Sequence, residues 1–96
     1  MDIKEGQKLM EQLYGARDRE RGAEKTFMWL TEEVGELSKA IIRKGNVEEE
    51  MADVLAWLFS LANIIGVDVE EAFRNKYPGY CPRCGNNPCI CPDPTL

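Results

Sequence analysis

The chain has 96 residues, of which 17 are acidic and 12 basic, and its formal net charge is -5. This length predicts one small domain with a marginal core, and the net acidity argues against a broad nucleic-acid-binding surface. Histidine is absent, which excludes Ser-His and Cys-His nucleophile pairs. No apolar run approaches the roughly 20 residues of a membrane span. Because the N-terminus also lacks a signal-peptide pattern, we expect a cytoplasmic protein.

The first two predicted helices are amphipathic. The first begins at Asp2, which forms a D-x-x-E capping box with Glu5, and ends near Gly22. The second runs from about Glu24 or Thr26 to Lys44, and Gly45 suits a left-handed C-cap. One side of the first helix carries Ile3, Met10, Leu13, Tyr14 and Arg17. The apolar stripe of the second consists of Phe27, Leu30, Val34, Leu37 and Ile41.

Two further helices are predicted before the composition changes. The third runs from about Val47 to Ile65 and is closed by Gly66. Its apolar stripe consists of Met51, Val54, Leu55, Leu58, Ala62 and Ile65. A shorter fourth helix is predicted from Asp68, in a second D-x-x-E box, through Tyr77. No stretch shows the period-two alternation of a strand, so the predicted fold is an all-α antiparallel bundle over residues 1–77. Residues 78–96 form a separate Cys-rich tail.

An acidic stripe lies beside the apolar stripe on each central helix. On a helical wheel the second helix groups Glu33 and Glu36 with Trp29 and Ala40, and the third groups Glu50, Asp53, Trp57 and Ile64. A short turn makes the two helices antiparallel neighbours. We expect Glu36 to lie opposite Asp53, with Glu33 near Trp57 and Glu50 near Ala40, so that the four carboxylates converge.

Converging carboxylates repel one another unless a cation balances them. Mg²⁺ prefers oxygen ligands, and Mn²⁺ accepts the same ones. An E-E-x-x-E string alone is more typical of a solvated helix face with partners such as Lys39. The second acidic motif, the tryptophans on the same stripe and the short turn favour a magnesium site.

The segment "EEVGEL", followed by "EMADVLAWLFSLANIIGVDVEEAFRNKY", resembles the MazG-like nucleoside triphosphate pyrophosphohydrolases of the all-α NTP pyrophosphatase superfamily. The resemblance implies Mg²⁺-dependent hydrolysis between the α and β phosphates, which yields a nucleoside monophosphate and pyrophosphate. By position it implies that the metal ligands are Glu33, Glu36, Glu50 and Asp53. It also implies that Glu32 is a supporting ligand or orients the attacking water, and that Asn75 and Lys76 face the phosphates.

Several alternatives remain open at this stage. One alternative is a member of the superfamily that takes dUTP or a phosphoribosyl nucleotide, and another is a non-catalytic interaction module with a zinc-stabilised dimer. Trp29 could stack on the nucleobase, although a tryptophan beside an apolar stripe is more often a core or interface residue.

Each central helix has two faces that must pack against other helices, and bundles of this family are completed by a second subunit. We therefore predict a homodimer or homotetramer.

The tail "YCPRCGNNPCICP" contains all four cysteines, which are Cys81, Cys84, Cys89 and Cys91. Four sulfurs in this short span can close one tetrahedral structural Zn²⁺ site, and the C-P-R-C-G portion resembles a zinc-knuckle turn. Two disulfides are the main competing interpretation. A redox-active C-x-x-C is less favoured because no thioredoxin-like βαβ pattern accompanies it.

Overall fold

The computed structural model describes residues 1–92, which form four helices and no strand. The helices are α1 (Ile3–Arg21), α2 (Ala23–Arg43), α3 (Val47–Ile65) and α4 (Val69–Lys76). The all-α prediction is therefore confirmed, and each helix boundary lies within a few residues of its predicted position. The last four residues of the predicted tail, 93–96, lie outside the described part of the chain.

Side-chain caps determine where three of the helices begin. The Oδ1 of Asp2 accepts from the Glu5 backbone N–H at 2.7 Å, and the Glu5 carboxylate accepts from the Asp2 N–H at 3.4 Å. This reciprocal pair is the predicted capping box. Asp68 caps α4 by accepting from the Glu71 N–H at 3.1 Å. Asn46 caps α3, which the sequence interpretation missed.

The turn between α2 and α3 differs from its predicted geometry. Lys44, and not Gly45, adopts the left-handed conformation, with φ of 56°. Gly45 donates its N–H to the Ala40 carbonyl at 2.8 Å, and a Cβ on Gly45 would lie 3.4 Å from the Ala40 Cα. The chain thus folds back over the last turn of α2 before α3 begins, as in a Schellman-type helix end.

The helix α3 lies at the centre of the packing. It contacts both α1 and α2 extensively, whereas α4 packs mainly on α1. The buried apolar residues of the described chain are few and mostly small: Ala40, Phe59 and Ala62. The helix α1 approaches α3 closely at Gly6, where a Cβ would lie 2.8 Å from the ring of Phe59.

The large apolar side chains of α2 and α3 lie mainly on an outer face of the chain. We call this set the outer apolar face, and its members are between 40% and 57% exposed: Phe27, Val34, Ile41, Met51, Leu55, Leu58 and Ile65. The inward side of α2 instead carries Thr26, Leu30, Glu33, Leu37 and Ala40, all of them buried or half-buried. The acidic stripe is therefore partly turned toward the neighbouring helices. The predicted apolar stripe of α2 is divided, because Phe27, Val34 and Ile41 are turned outward while Leu30 and Leu37 lie on the inward side.

Within residues 1–92, no single helix has the length and apolar composition needed to cross a membrane. Taken together, α3 and α4 meet these length and composition criteria, but the two helices are bent by 101° relative to each other at the short break between them.

Candidate active site

Three carboxylates converge where α2 and α3 pack together. Glu33 from α2 and Glu50 and Asp53 from α3 can each offer one oxygen such that all three oxygens lie within 4.8 Å of one another. All three residues are half-buried. The i, i+3 spacing of Glu50 and Asp53 places both on the side of α3 that meets Glu33. We refer to these three residues as the carboxylate cluster.

The electrostatics of the carboxylate cluster are unfavourable to full ionisation. Partial burial raises the pKa of Glu33, and the negative charges of Asp53 and Glu50 raise it further. Partial burial also raises the pKa of Glu50, with added contributions from Asp53 and Glu36. Like charges held together in this way favour protonation or the binding of a cation.

The other two predicted acidic residues lie at the edge of the cluster. One Glu36 oxygen is 3.6 Å from the Lys39 Nζ, and the Glu36 side chain is 47% exposed. Its charge nevertheless contributes to the raised pKa of both Glu33 and Glu50. Glu32 is exposed and raises the pKa of Glu33. The structure therefore brings three of the five together, and the roles of Glu36 and Glu32 stay predictions.

The two tryptophans stack directly on each other beside the cluster. The ring centroids of Trp29 and Trp57 are 6.0 Å apart, with an interplanar angle of 19°. The helical wheel predicts Glu36 opposite Asp53 and Glu33 level with Trp57, whereas the structure stacks Trp29 on Trp57 and groups Glu33 with Asp53. The pairing of the two helices is thus shifted by about one turn.

A cavity of about 320 Å³ opens between α1 and α3 and borders the carboxylate cluster at Asp53. Its volume falls at the lower end of the range for small-molecule sites. The cavity is lined by Met10, Tyr14, Arg17, Asp18, Arg21, Asp53, Ala56, Trp57 and Ser60. The face of α1 toward this cavity combines apolar and charged side chains.

Arg21 and Asp18 form a largely buried salt bridge that the sequence interpretation did not identify. An Nη1 donor of Arg21 lies 3.0 Å from the Asp18 Oδ1 and 3.1 Å from the Thr26 hydroxyl. Its guanidinium also lies 4.8 Å from the Trp57 ring centroid. In the sequence both charged residues belong to the string "RDRER", in which nothing distinguishes a buried ion pair from a charged helix end.

Asn75 and Lys76 lie on the exposed last turn of α4. That helix follows the C-terminal end of α3, and Gly66 is about 20 Å along α3 from Asp53. Within one chain the structure does not group these two residues with the carboxylate cluster, so their predicted contact with phosphate stays a prediction.

The comparison with protein families matches residues 21–85 to the MazG nucleotide pyrophosphohydrolase domain. The chain belongs to this family. The match confirms the resemblance seen in the sequence, and it includes the carboxylate cluster, both tryptophans and the end of α4. Comparison with curated proteins finds no match.

The MazG match ends inside the cysteine tail, between Cys84 and Cys89. All four cysteines are free, and their four Sγ atoms all lie within 4.8 Å of one another. Backbone N–H donors, first that of Ile90, lower the pKa of Cys84 to about 6. Neighbouring thiols, first that of Cys89, raise the pKa of Cys91 to about 12. The tail thus holds a second cluster of metal-ligating side chains, separate from the carboxylates.

Proposed function

We propose that the protein hydrolyses nucleoside triphosphates to nucleoside monophosphates and pyrophosphate, with Mg²⁺ or Mn²⁺ held by the carboxylate cluster. The observation that carries this proposal is the convergence of Glu33, Glu50 and Asp53 within a MazG domain. Such an activity serves nucleotide-pool housekeeping or the removal of noncanonical nucleotides, and we propose that it operates in the cytoplasm.

The residues of the cluster fit a hard divalent cation. They offer only carboxylate oxygens, which Mg²⁺ and Mn²⁺ prefer, and no thiol or imidazole. The pKa values of Glu33 and Glu50 are raised by partial burial first and by the neighbouring carboxylates second, and a bound cation would offset both effects. Glu36 would complete the ligand set by turning away from Lys39, and an exposed ion pair of this kind costs little to break.

In the proposed reaction water attacks the α-phosphorus, and the oxygen that bridges the α and β phosphates leaves with pyrophosphate. A bound divalent cation supplies positive charge to the phosphate oxygens and makes water more acidic, so that no histidine is required. Glu33, Glu36, Glu50 and Asp53 would hold the cation. Glu32 supports them or accepts a hydrogen bond from the attacking water and so orients it.

We propose that the nucleobase lies near the tryptophan pair. One face of Trp29 is taken up by the Trp57 ring, yet Trp29 is 48% exposed, which leaves surface on which a base can stack. Trp57 also borders the cavity between α1 and α3. Because this cavity and the carboxylate cluster share Asp53, a bound nucleotide can reach both with its base and its phosphates.

We also propose that the working enzyme is a homodimer or homotetramer. The described chain buries few large apolar side chains, while its outer apolar face runs along both central helices. A second copy would cover that face and supply the burial that a chain of this size lacks. Asn75 and Lys76 could then approach the phosphates from the partner subunit. A structural Zn²⁺ in the tail completes the proposed set of cofactors and is argued below.

The activity is tested by following pyrophosphate and monophosphate release from a panel of canonical and noncanonical NTPs and dNTPs with Mg²⁺. We expect turnover by wild type and a loss of at least about 100-fold in Asp53→Asn and Glu36→Gln, because ligand loss removes several kcal/mol of transition-state stabilisation. Glu48→Gln is the matched control, since Glu48 is exposed and lies outside the cluster.

The same panel separates the alternatives. Turnover confined to dUTP would assign the dUTPase-like activity, and turnover confined to a phosphoribosyl nucleotide would assign the phosphoribosyl-ATP pyrophosphohydrolase activity. If folded, metal-loaded wild type turns over no nucleotide, the proposed hydrolysis is wrong and the non-catalytic interaction module takes its place.

A further inference from the structure

The four cysteines of the tail are arranged as two close pairs within one cluster. The Sγ atoms of Cys81 and Cys91 are 3.9 Å apart, and so are those of Cys84 and Cys89. One sulfur from each cysteine lies within 4.8 Å of all the others. Each pair joins one residue of the first C-x-x-C segment to one residue of the second segment, so the cluster closes the loop between them.

These distances match the size of a tetrahedral zinc site. With Zn–S bonds of about 2.3 Å, the edge of a regular tetrahedron of sulfurs is about 3.8 Å. Disulfide-bonded sulfurs lie only about 2.05 Å apart. The observed 3.9 Å separations agree with the edges of a metal-centred tetrahedron and leave space for an ion at its centre.

The backbone around the cysteines provides N–H donors and a rigid turn. The Cys91 N–H donates to the Cys89 Sγ at 3.3 Å, and the N–H groups of Ile90 and Asn86 face the Cys84 sulfur. Gly85 donates to the Cys81 carbonyl at 2.7 Å and has φ of 74°, a left-handed conformation that favours glycine. Such donors around the sulfurs stabilise the charge of a metal-bound thiolate cluster.

We propose that Cys81, Cys84, Cys89 and Cys91 bind one structural Zn²⁺. Four Zn–S bonds form, and each cysteine still protonated releases its thiol proton to solvent. All four coordination positions are filled by protein, so the ion has no open position for substrate and serves structure. The site belongs to this chain's own tail, because two of its four ligands lie beyond the MazG match.

The ion gives the tail a centre around which to fold. Residues 77–92 form no helix or strand, and their side chains are exposed or half-buried. Ile90, for example, is 72% exposed. The Asn87 side chain donates to the Gly79 carbonyl at 2.9 Å, which connects the cluster to the chain just after α4. With so little apolar burial, metal binding supplies the folding free energy of this segment.

The proposal is tested on the full chain purified without chelators, by elemental analysis together with a thiol count in denaturant with EDTA. We expect about one zinc per chain and four reactive thiols. Co²⁺ replacement is expected to give the visible ligand-field and sulfur charge-transfer bands of a tetrahedral thiolate site. Two disulfides with no bound metal, or iron in place of zinc, would overturn the proposal.

Variants separate metal binding from general folding. Cys84→Ser is expected to lose most of the bound zinc and to increase amide exchange in residues 78–92, while helical circular dichroism is retained. Ile90→Ala is the matched control, since its exposed side chain lies between two ligands and its backbone N–H is kept; it is expected to retain zinc. Retention of stoichiometric zinc by Cys84→Ser would overturn the four-cysteine assignment. None of these measurements depends on nucleotide hydrolysis, so the zinc site and the proposed enzyme activity are tested independently.

Discussion

Arg21 donates to the buried Asp18 carboxylate at 3.0 Å within α1, and the same guanidinium contacts Thr26 of α2 and the Trp57 ring of α3. The Asp18 side chain is 3% exposed and that of Arg21 is 23% exposed. The other Asp18 oxygen has no hydrogen-bond partner. Without Arg21 the buried carboxylate would lose the one salt bridge that it forms within residues 1–92, and such a loss is far more costly than the loss of an exposed ion pair.

We therefore predict that Arg21→Gln lowers the free energy of unfolding by about 3 kcal/mol. The matched control is Arg19→Gln, which removes an exposed pair with Glu11 whose side chains are 52% and 40% exposed. That control is expected to cost less than about 1 kcal/mol. Urea unfolding followed by circular dichroism measures both, and equal losses in the two variants would contradict the structural role given to the Arg21 pair.

A second prediction about stability concerns the contact between Gly6 and Phe59. A Cβ on Gly6 would lie 2.8 Å from the ring of Phe59, which is only 6% exposed and has little room to move. Overpacking of this kind costs about 1 to 3 kcal/mol, and alanine recovers at most about 1 kcal/mol through helix propensity. We expect Gly6→Ala to be destabilising overall by about 1 kcal/mol.

Its control is the same substitution made in a Phe59→Leu background, where the ring edge is gone. There Gly6→Ala is expected to be neutral or stabilising, so the double-mutant cycle should show a coupling of at least about 0.5 kcal/mol. Purely additive effects would mean that the two residues do not limit the approach of α1 to α3.

The helices and the acidic stripe could be predicted because both depend on local chemistry. Asp2 and Asp68 each cap a helix by bonding a backbone N–H three residues along. The spacing of Glu50 and Asp53 on α3 follows from the helical period alone. The contacts between α2 and α3, such as the stacking of Trp29 on Trp57, depend on how far one helix is displaced along the other, and local patterns do not determine that displacement.

The Arg21–Asp18 pair and the adjoining cavity could not be predicted for a different reason. The pair itself is local to α1, but its burial and the cavity depend on how closely α1 packs against α3, through contacts such as that of Gly6 with Phe59, 53 positions apart in the chain. Periodicity identifies which side chains share a face of a helix, but not how deeply that face is buried against its neighbours. On α2 it led us to the stripe of Phe27 and Val34, although the smaller Thr26 and Ala40 are the residues that are buried.

The pH dependence of the carboxylate cluster can be predicted from the direction of its pKa shifts. Glu33 and Glu50 have raised pKa values in the folded chain, chiefly through partial burial and then through like charges. A carboxyl group with a raised pKa binds its proton more tightly in the folded state than in the unfolded state. It therefore destabilises the metal-free fold at neutral pH, and this penalty is relieved as the pH falls toward and through its raised pKa.

We accordingly predict that, without divalent metal, Glu33→Gln has a higher Tm than wild type near pH 8, and that this difference narrows near pH 5. Added Mg²⁺ should raise the Tm of wild type more at the higher pH, because protons compete with the cation at the lower one. Glu48→Gln should follow wild type in both series. A Tm gain on Mg²⁺ addition that is equal in wild type and Glu33→Gln would place the cation elsewhere.

The outer apolar face yields a prediction about assembly. Leu58 and Leu55 are 40% and 49% exposed on α3, and Val34 on α2 is 50% exposed. Stable protein interfaces bury about 800 Å² per partner with an apolar centre, and a face along two helices of about 30 Å each is long enough to supply it. Leu58→Glu would place a charge on this face, so we expect it to shift the protein to a monomer at micromolar concentration.

Sedimentation velocity measures that shift, with Gln12→Glu as the control because it adds the same charge at an exposed position on α1. The control is expected to sediment as wild type does, as a dimer or tetramer. If the partner subunit supplies Asn75 and Lys76 to the phosphates, Leu58→Glu should also lose nucleotide turnover while keeping its helical content and its zinc. Wild type that sediments as a monomer would refute the assembly, and a fully active monomeric Leu58→Glu would show that one chain contains the complete site.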